Sequence, residues 1–113
     1  MPNVKIYVDE SVLAGVTERS EAAMAELRRY LCEALGVTDA ACHIVLIGVK
    51  SPAGQTPANV ELVLLRRQDR TSEVMTAFCS RLRDLMTGWL GCQTAIRCTL
   101  METELYFVAR QPT

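Results

Sequence analysis

Apolar residues recur along the chain with two different spacings, which predict strands alternating with helices. Val4 to Val8 alternates apolar and polar positions and predicts a strand close to the amino terminus. Thr17 to Leu35 has apolar residues at helical spacing, with Thr17 as the expected N-cap and Gly36 as the expected stop. His43 to Val49 is almost entirely apolar, as is typical of a strand covered on both faces.

The second half of the chain predicts the same order of elements after a turn-rich connection, Ser51 to Pro57. Val60 to Leu65 predicts a third strand, and Thr71 to about Trp89 predicts a second helix. Thr94 to Met101 predicts a fourth strand, and Leu105 to Ala109 a short terminal strand. We therefore expect the order βαβ-βαββ.

The two halves are similar in sequence at a shift of 55 positions, which favours an internal duplication. The shift also carries Pro2 onto Pro57. We predict one domain over residues 1–113, of the α/β (α+β) class, with repeats at about 2–50 and 57–109. Two such units give a four-stranded mixed sheet with both helices on one face. The matched positions are Leu27-Arg28 with Leu82-Arg83, Leu31 with Met86, and Leu35-Gly36 with Leu90-Gly91.

Two helices can cover only one face of such a sheet. The strands carry more apolar side chains than that arrangement would bury, with Val4, Ile6, Ile44 and Leu46 as the expected examples. The uncovered face then needs a partner, and association with other copies of the chain is the simplest solution.

Composition excludes several classes of protein. The chain has 113 residues, of which 50% are hydrophobic and 22% charged, with a formal net charge of −1. This composition fits one globular domain, and no basic stripe indicates binding to nucleic acid or to an anionic membrane. No run approaches the roughly 18 apolar residues of a membrane-spanning helix, and no signal peptide precedes the first strand. We expect a cytoplasmic protein.

The five cysteines and the single histidine do not indicate a metal centre. No two cysteines form a C-x-x-C pair, and His43 is next to Cys42, on the opposite face of a strand. We predict reduced and mostly buried cysteines, a core or interface histidine, and no metal or organic cofactor.

Pro2 is the first candidate for chemistry. Methionine before a small residue such as proline is normally removed, and removal of Met1 would leave a secondary amine at the start of a strand. An ordinary α-amino group has a pKa of about 7.7–8.0, which an apolar pocket or nearby cations would lower. Such an amine can move a proton α to a carbonyl. The alternative is that Pro2 is only the residue at which the chain starts.

Arg67 and Arg70 are the second candidate. They flank the turn between the third strand and the second helix, and Thr71 begins that helix. Guanidinium groups beside the free N–H groups of a helix start form an anion site suited to a carboxylate. The alternative is a solvated turn.

Taken together, these features resemble the tautomerase superfamily. They are Met-Pro before the first strand, two βαβ repeats, the chain length and the short final strand. The similar members have fused repeats: macrophage migration inhibitory factor, 5-carboxymethyl-2-hydroxymuconate isomerase, cis-3-chloroacrylic acid dehalogenase and malonate semialdehyde decarboxylase. The resemblance implies a homotrimer with the open sheet faces turned inward and an amino-terminal proline in a pocket between subunits.

The resemblance also implies roles for individual residues. Pro2 would be the catalytic base, and Arg67 and Arg70 would hold a substrate carboxylate, with Arg66 as the nearest competitor. Tyr106 would supply a hydroxyl or an aromatic wall. The chain departs from the relatives in having Val37 where one branch has a lysine. Residues near acidic positions of the dehalogenase and decarboxylase branches are Asp39, Glu102 and Glu104.

The expected activity is keto–enol isomerisation of a small carboxylate-bearing substrate without a cofactor. The first alternative is a decarboxylase or dehalogenase of the same fold. The second is a non-catalytic ligand-binding or interaction module.

Overall fold

The computed structural model describes residues 2–112, and its sheet contains four strands in the order β2-β1-β3-β4. β1 pairs in parallel with β2 and antiparallel with β3, while β3 pairs in parallel with β4. The mixed sheet is therefore as predicted, with β2 and β4 at its edges. The strands are β1 (Asn3–Asp9), β2 (His43–Val49), β3 (Ala58–Leu65) and β4 (Thr94–Met101).

Three α-helices lie in the described part of the chain, one more than predicted. They are α1 (Glu10–Val16), α2 (Ser20–Leu35) and α3 (Ser72–Leu90). The prediction that a helix begins at Thr17 with this residue as its N-cap is wrong. Thr17 starts a 3-10 turn that links α1 to α2, and its hydroxyl donates to the Leu13 carbonyl.

The additional helix α1 has a local cause in the sequence. The Asp9 carboxylate accepts the backbone N–H of Ser11 and so caps the helix, which turns the chain directly out of β1. Val16 is buried in the core, and Val12 and Leu13 pack against it at helical spacing. α3, in contrast, begins as predicted, with the Thr71 hydroxyl accepting the Val74 N–H.

α2 and α3 bury equivalent positions of the two repeats. Leu27 and Leu82 are fully buried, as are Leu31 and Met86, each pair being 55 residues apart. Both helices end at a glycine in the left-handed region, Gly36 with φ 66° and Gly91 with φ 69°. The sequence match therefore corresponds to matching packing of the two helices.

The assignment of residues to the uncovered sheet face is wrong. Val4 and Ile6 are fully buried under the helices, and Ile44 and Leu46 point to the same side and pack against the core. Because side chains alternate along a strand, the opposite face carries their neighbours. Its apolar members are Tyr7, Val45, Ile47, Val49, Val63, Leu65 and Met101, and its charged members include Lys5, Glu61 and Arg97.

The segment predicted as a short terminal strand, Leu105 to Ala109, forms no strand in the described residues. A 3-10 turn spans Thr103–Leu105, and the following residues have no strand partner within the chain. Leu105 is 67% exposed and Phe107 85% exposed. An apolar segment of this kind is available to contact another molecule.

The cysteines are free thiols, but they are less buried than predicted. Cys42 is buried, whereas Cys32, Cys79, Cys92 and Cys98 are only partly buried. Among residues 2–112, no helix is long and apolar enough to cross a bilayer, and no three His, Cys, Asp or Glu side chains are grouped to hold a metal ion.

Candidate active site

Strand pairing places Pro2 close to the loop that carries the arginines. Pro2 lies directly before β1, and the β1–β3 register continues to bring it level with Leu64, two residues before Arg66. The Pro2 carbonyl accepts the His43 N–H at 3.0 Å, and the Pro2 side chain is fully buried. Met1 lies outside the described residues, so its removal stays a prediction.

Arg70 is a buried cation that joins two elements. The residue is 8% exposed, and its guanidinium donates to the Leu65 carbonyl at 2.5 Å and to the Leu35 carbonyl at 3.2 Å. Its Nε is buried and has no hydrogen-bond partner among the described residues. Burial, and then the neighbouring charge of Arg67, lower the Arg70 pKa.

Arg67 contacts the same end of α2 from the solvent side. Its Nη1 donates to the carbonyls of Leu35 at 3.1 Å and Gly36 at 3.4 Å, and its Nη2 pairs with Asp69 at 3.1 Å. The side chain is 42% exposed, so this ion pair is open to exchange with a dissolved anion.

Both arginines therefore stabilise the carboxyl end of α2, a role that the sequence analysis missed. The last carbonyls of a helix lack partners and attract cations. The α2 end is adjacent to the arginines only after the two repeats have folded together, so the sequence around Arg67 gives no signal of it.

Arg66 is engaged elsewhere. Its Nη1 lies 2.6 Å from Glu102, the residue after β4, and both side chains are largely exposed. Of the three arginines in the loop, Arg70 is the one with a buried donor to spare.

The other sequence candidates are dispersed around this end of the sheet. Asp39 accepts a hydrogen bond from the Cys32 thiol at 3.2 Å, and burial together with this bond raises the Cys32 pKa to about 11. His43 is exposed at the start of β2, at a strand end and not within the core. Tyr106 is partly buried after the 3-10 turn, and its backbone N–H donates to Thr103.

A groove of about 1080 Å³ runs between α3 and β4, and the arginine loop forms one end of it. Arg66, Arg67 and Arg70 are among its lining residues, whereas Pro2 and Tyr106 are not. The single chain thus brings the two predicted anion-binding residues, Arg67 and Arg70, into one cavity. Pro2 does not line this cavity.

Comparison with solved structures identifies the fold. No protein-family model and no curated protein sequence matches the chain, but solved structures match over nearly all of it. A fused 4-OT described as an asymmetric trimer superposes with a TM-score of 0.73 at 15% identity, covering 96% of this chain and 94% of that one. The chain has the tautomerase fold.

Two further structures with the tautomerase fold are similar to the chain. Pt0534, inactivated by 2-oxo-3-pentynoate, has a TM-score of 0.70 at 18% identity and covers 95% of this chain and 91% of its own. N1, a member of the cis-3-chloroacrylic acid dehalogenase family, has a TM-score of 0.70 at 11% identity. The match covers 94% of this chain and 79% of N1. The resemblance predicted from the sequence is confirmed at the level of the fold.

Proposed function

We propose that this chain is a cofactor-independent tautomerase that interconverts the keto and enol forms of a small carboxylate-bearing substrate. Pro2 is the general base in this proposal, after removal of Met1. Arg67 and Arg70 bind the substrate carboxylate, and Tyr106 provides a wall or hydroxyl of the site.

One observation supports the proposal most strongly. A buried proline at the amino end of β1 and a buried, partly unpartnered guanidinium lie at the same end of the sheet. The chain shares its fold with Pt0534 and with the fused 4-OT.

The mechanism follows from the chemistry of these groups. The free amine of Pro2 removes a proton from the carbon next to the substrate carbonyl and returns it to the other end of the enolate. The amine acts in its neutral form in this proposal, and an apolar pocket would favour that form because it disfavours the ammonium ion. The spare donor of Arg70 and the exchangeable donors of Arg67 hold the carboxylate and stabilise the developing negative charge.

The site belongs to a homotrimer in this proposal. The open sheet face carries a set of apolar side chains, and the segment after β4 exposes Leu105, Phe107 and Val108. One of the similar structures is described as an asymmetric trimer. A neighbouring copy would cover these surfaces and, with this chain, form a pocket between subunits at Pro2, which the groove of one chain does not reach.

A rate measurement tests the activity. The protein with a free Pro2 amine is expected to accelerate ketonisation of the enol of phenylpyruvate or 2-hydroxymuconate. Pro2→Ala keeps a primary amine and is expected to lose much of the rate, while a variant that retains Met1 has an amide at this position and is expected to lose all of it. Full turnover by Pro2→Ala would overturn the proposal.

The dehalogenase or decarboxylase alternative is favoured by the similarity to N1. In that reaction Pro2 is protonated and polarises the substrate, so the amine would have a higher pKa. The acidic candidate Glu102 lies in an exposed ion pair with Arg66. A pH–rate profile whose activity requires the protonated amine would favour this alternative.

The non-catalytic alternative keeps the anion site and gives Pro2 no role. Carboxylate binding with no turnover by the protein that has a free amino-terminal proline would favour it.

A further inference from the structure

The groove between α3 and β4 extends well beyond the arginine loop. Its floor is the helix-facing side of β4, where Ile96, Cys98 and Leu100 are left partly uncovered at the edge of the sheet. Its wall is the flank of α3 that carries Met75 and Cys79. Burial raises the pKa of both thiols, that of Cys98 to about 11, so they stay neutral and form apolar surface at physiological pH.

The two ends of the groove are polar. One end has the arginine loop and the first turn of α3, and the other has Arg83, eleven residues further along the helix. At 1.5 Å per residue, this separation is about 16 Å, much longer than a short acid needs. Four arginines line the groove, and three of them, Arg66, Arg67 and Arg83, form exposed ion pairs with carboxylates. Arg70 is the lining cation without a carboxylate partner among the described residues, so the charge at its end of the groove favours an anion.

Arg70 supplies the second feature that points to a ligand. The residue is more than nine-tenths buried, lines the groove, has an Nε with no partner among residues 2–112, and comes two residues before the 19-residue helix α3. A buried donor without a partner is costly, and an anion bound at this end would satisfy it.

We propose that the α3–β4 groove binds an elongated amphipathic monocarboxylate, with its carboxylate at Arg70 and its hydrocarbon chain along Ile96, Cys98 and Leu100. The inference deepens the proposed function, because it shares the arginines and assigns the substrate a long apolar chain. Binding itself requires no amine at Pro2, so the two proposals can fail separately.

The test compares butyrate, octanoate and 1-octanol by calorimetry, and follows methionine methyl signals by NMR. Each methylene that leaves water adds up to about fourfold in affinity, and half of that effect is reasonable in an open groove. We expect octanoate to bind about tenfold or more tightly than butyrate, and 1-octanol to bind at least tenfold more weakly than octanoate. The Met75 methyl should shift on binding, while that of Met86, fully buried in the core, should not.

A matched pair of variants tests the position of the chain. Thr76 is exposed and lines the groove, whereas Thr87 is exposed on the same helix outside it. Thr76→Trp is expected to remove the advantage of octanoate over butyrate, and Thr87→Trp to preserve it. Equal effects of the two substitutions, or equal affinities of butyrate and octanoate, would overturn the inference.

A third outcome distinguishes a ligand from another copy of the chain. Met75 signals that change with protein concentration but not with octanoate would mean that the groove is covered by a neighbouring subunit, which would also overturn the inference. Octanoate binding that is unchanged in the variant retaining Met1, with no ketonisation by the free amine, would preserve the inference and reject the proposed function.

Discussion

At the scale of single residues, Arg67 and Arg70 differ in burial and in hydrogen bonding, although both were predicted to bind a carboxylate. Arg70 is held between the Leu65 and Leu35 carbonyls and offers one fixed donor, whereas Arg67 has an exposed ion pair that a substrate can replace. The loop position of the arginines was predictable because a strand and a helix start flank it. Their second role at the end of α2 depends on contacts between residues more than 30 positions apart and could not be read locally.

The carboxylate site can be tested by substitution. Arg67→Ala is expected to weaken carboxylate binding by about 1.5–3 kcal/mol, the range for a hydrogen bond to a charged group. Arg70→Ala is expected to weaken binding by a similar amount and also to lower the free energy of unfolding, because the Leu65 carbonyl loses its side-chain donor and the Leu35 carbonyl keeps only that of Arg67. Calorimetry and denaturant unfolding measure the two effects. Arg66→Ala is the control, and a loss as large as that in Arg67→Ala would count against the assignment.

Asp9 gives a prediction about pH. Hydrogen bonds from the Ser11 and Ser51 hydroxyls and the Ser11 N–H lower the Asp9 pKa to about 2. Since the folded pKa is below the unfolded value near 3.9, the carboxylate stabilises the fold above that pH, and this contribution is lost as pH falls towards 2. Asp9→Ala should therefore be less stable than the parent at pH 7, with the difference shrinking below pH 4. Urea unfolding at several pH values measures it, and a pH-independent difference would contradict it.

At the scale of elements, the strands were predicted better than the connections. The bounds of β2 and β4 were predicted to the residue, because both segments are short, rich in apolar and β-branched residues, and followed by polar residues. α1 was missed although Val12, Leu13 and Val16 have helical spacing. Seven residues are too few for a clear helical pattern, and no loop separates α1 from β1, because Asp9 is both the last residue of the strand and the N-cap of the helix. Leu105 to Ala109 has strand composition but pairs with no strand among residues 2–112, and composition alone does not show whether a partner strand is present.

The ends of α2 and α3 give a prediction about stability. Gly36 and Gly91 have positive φ, so replacement by alanine should cost each helix about 1 kcal/mol or more. Gly88 lies within α3, is exposed, and has open space around its would-be Cβ. Gly88→Ala should instead raise stability by about 0.5–1 kcal/mol through helix propensity. Thermal unfolding compares the three variants. A change in stability in the same direction for all three would contradict the assignment of Gly36 and Gly91 to the helix ends.

At the scale of the whole molecule, a sheet face left uncovered by the helices was predicted, but with the wrong residues. Val4, Ile6, Ile44 and Leu46 are covered by the helices, and the open face is the one with Val45, Ile47 and Val63. The apolar run in β2 has apolar side chains on both faces of the strand. The alternation of side chains along β2 therefore could not show which face packs against the helices.

The open face leads to a prediction about the oligomeric state. We expect a homotrimer at micromolar concentration in sedimentation velocity. Replacing the exposed Phe107 by Asp should weaken the trimer, while the same replacement of the exposed Gln111 should not, because only the first removes apolar contact area. A parent protein that sediments as a monomer would contradict the trimer and the enclosure of Pro2 that depends on it.

The central claim is that a free amine at Pro2 carries out the chemistry, and mass spectrometry of the amino-terminal peptide tests it most directly. The account predicts that the native protein begins at Pro2 and that an acetylenic acid such as 3-bromopropiolate modifies this residue covalently. The cysteine thiols serve as the internal control for this labelling. Burial raises the pKa of Cys32 and Cys98 to about 11, so little of the reactive thiolate is present. A native chain that still carries Met1, or a label found on cysteine while Pro2 stays unmodified, would contradict the claim.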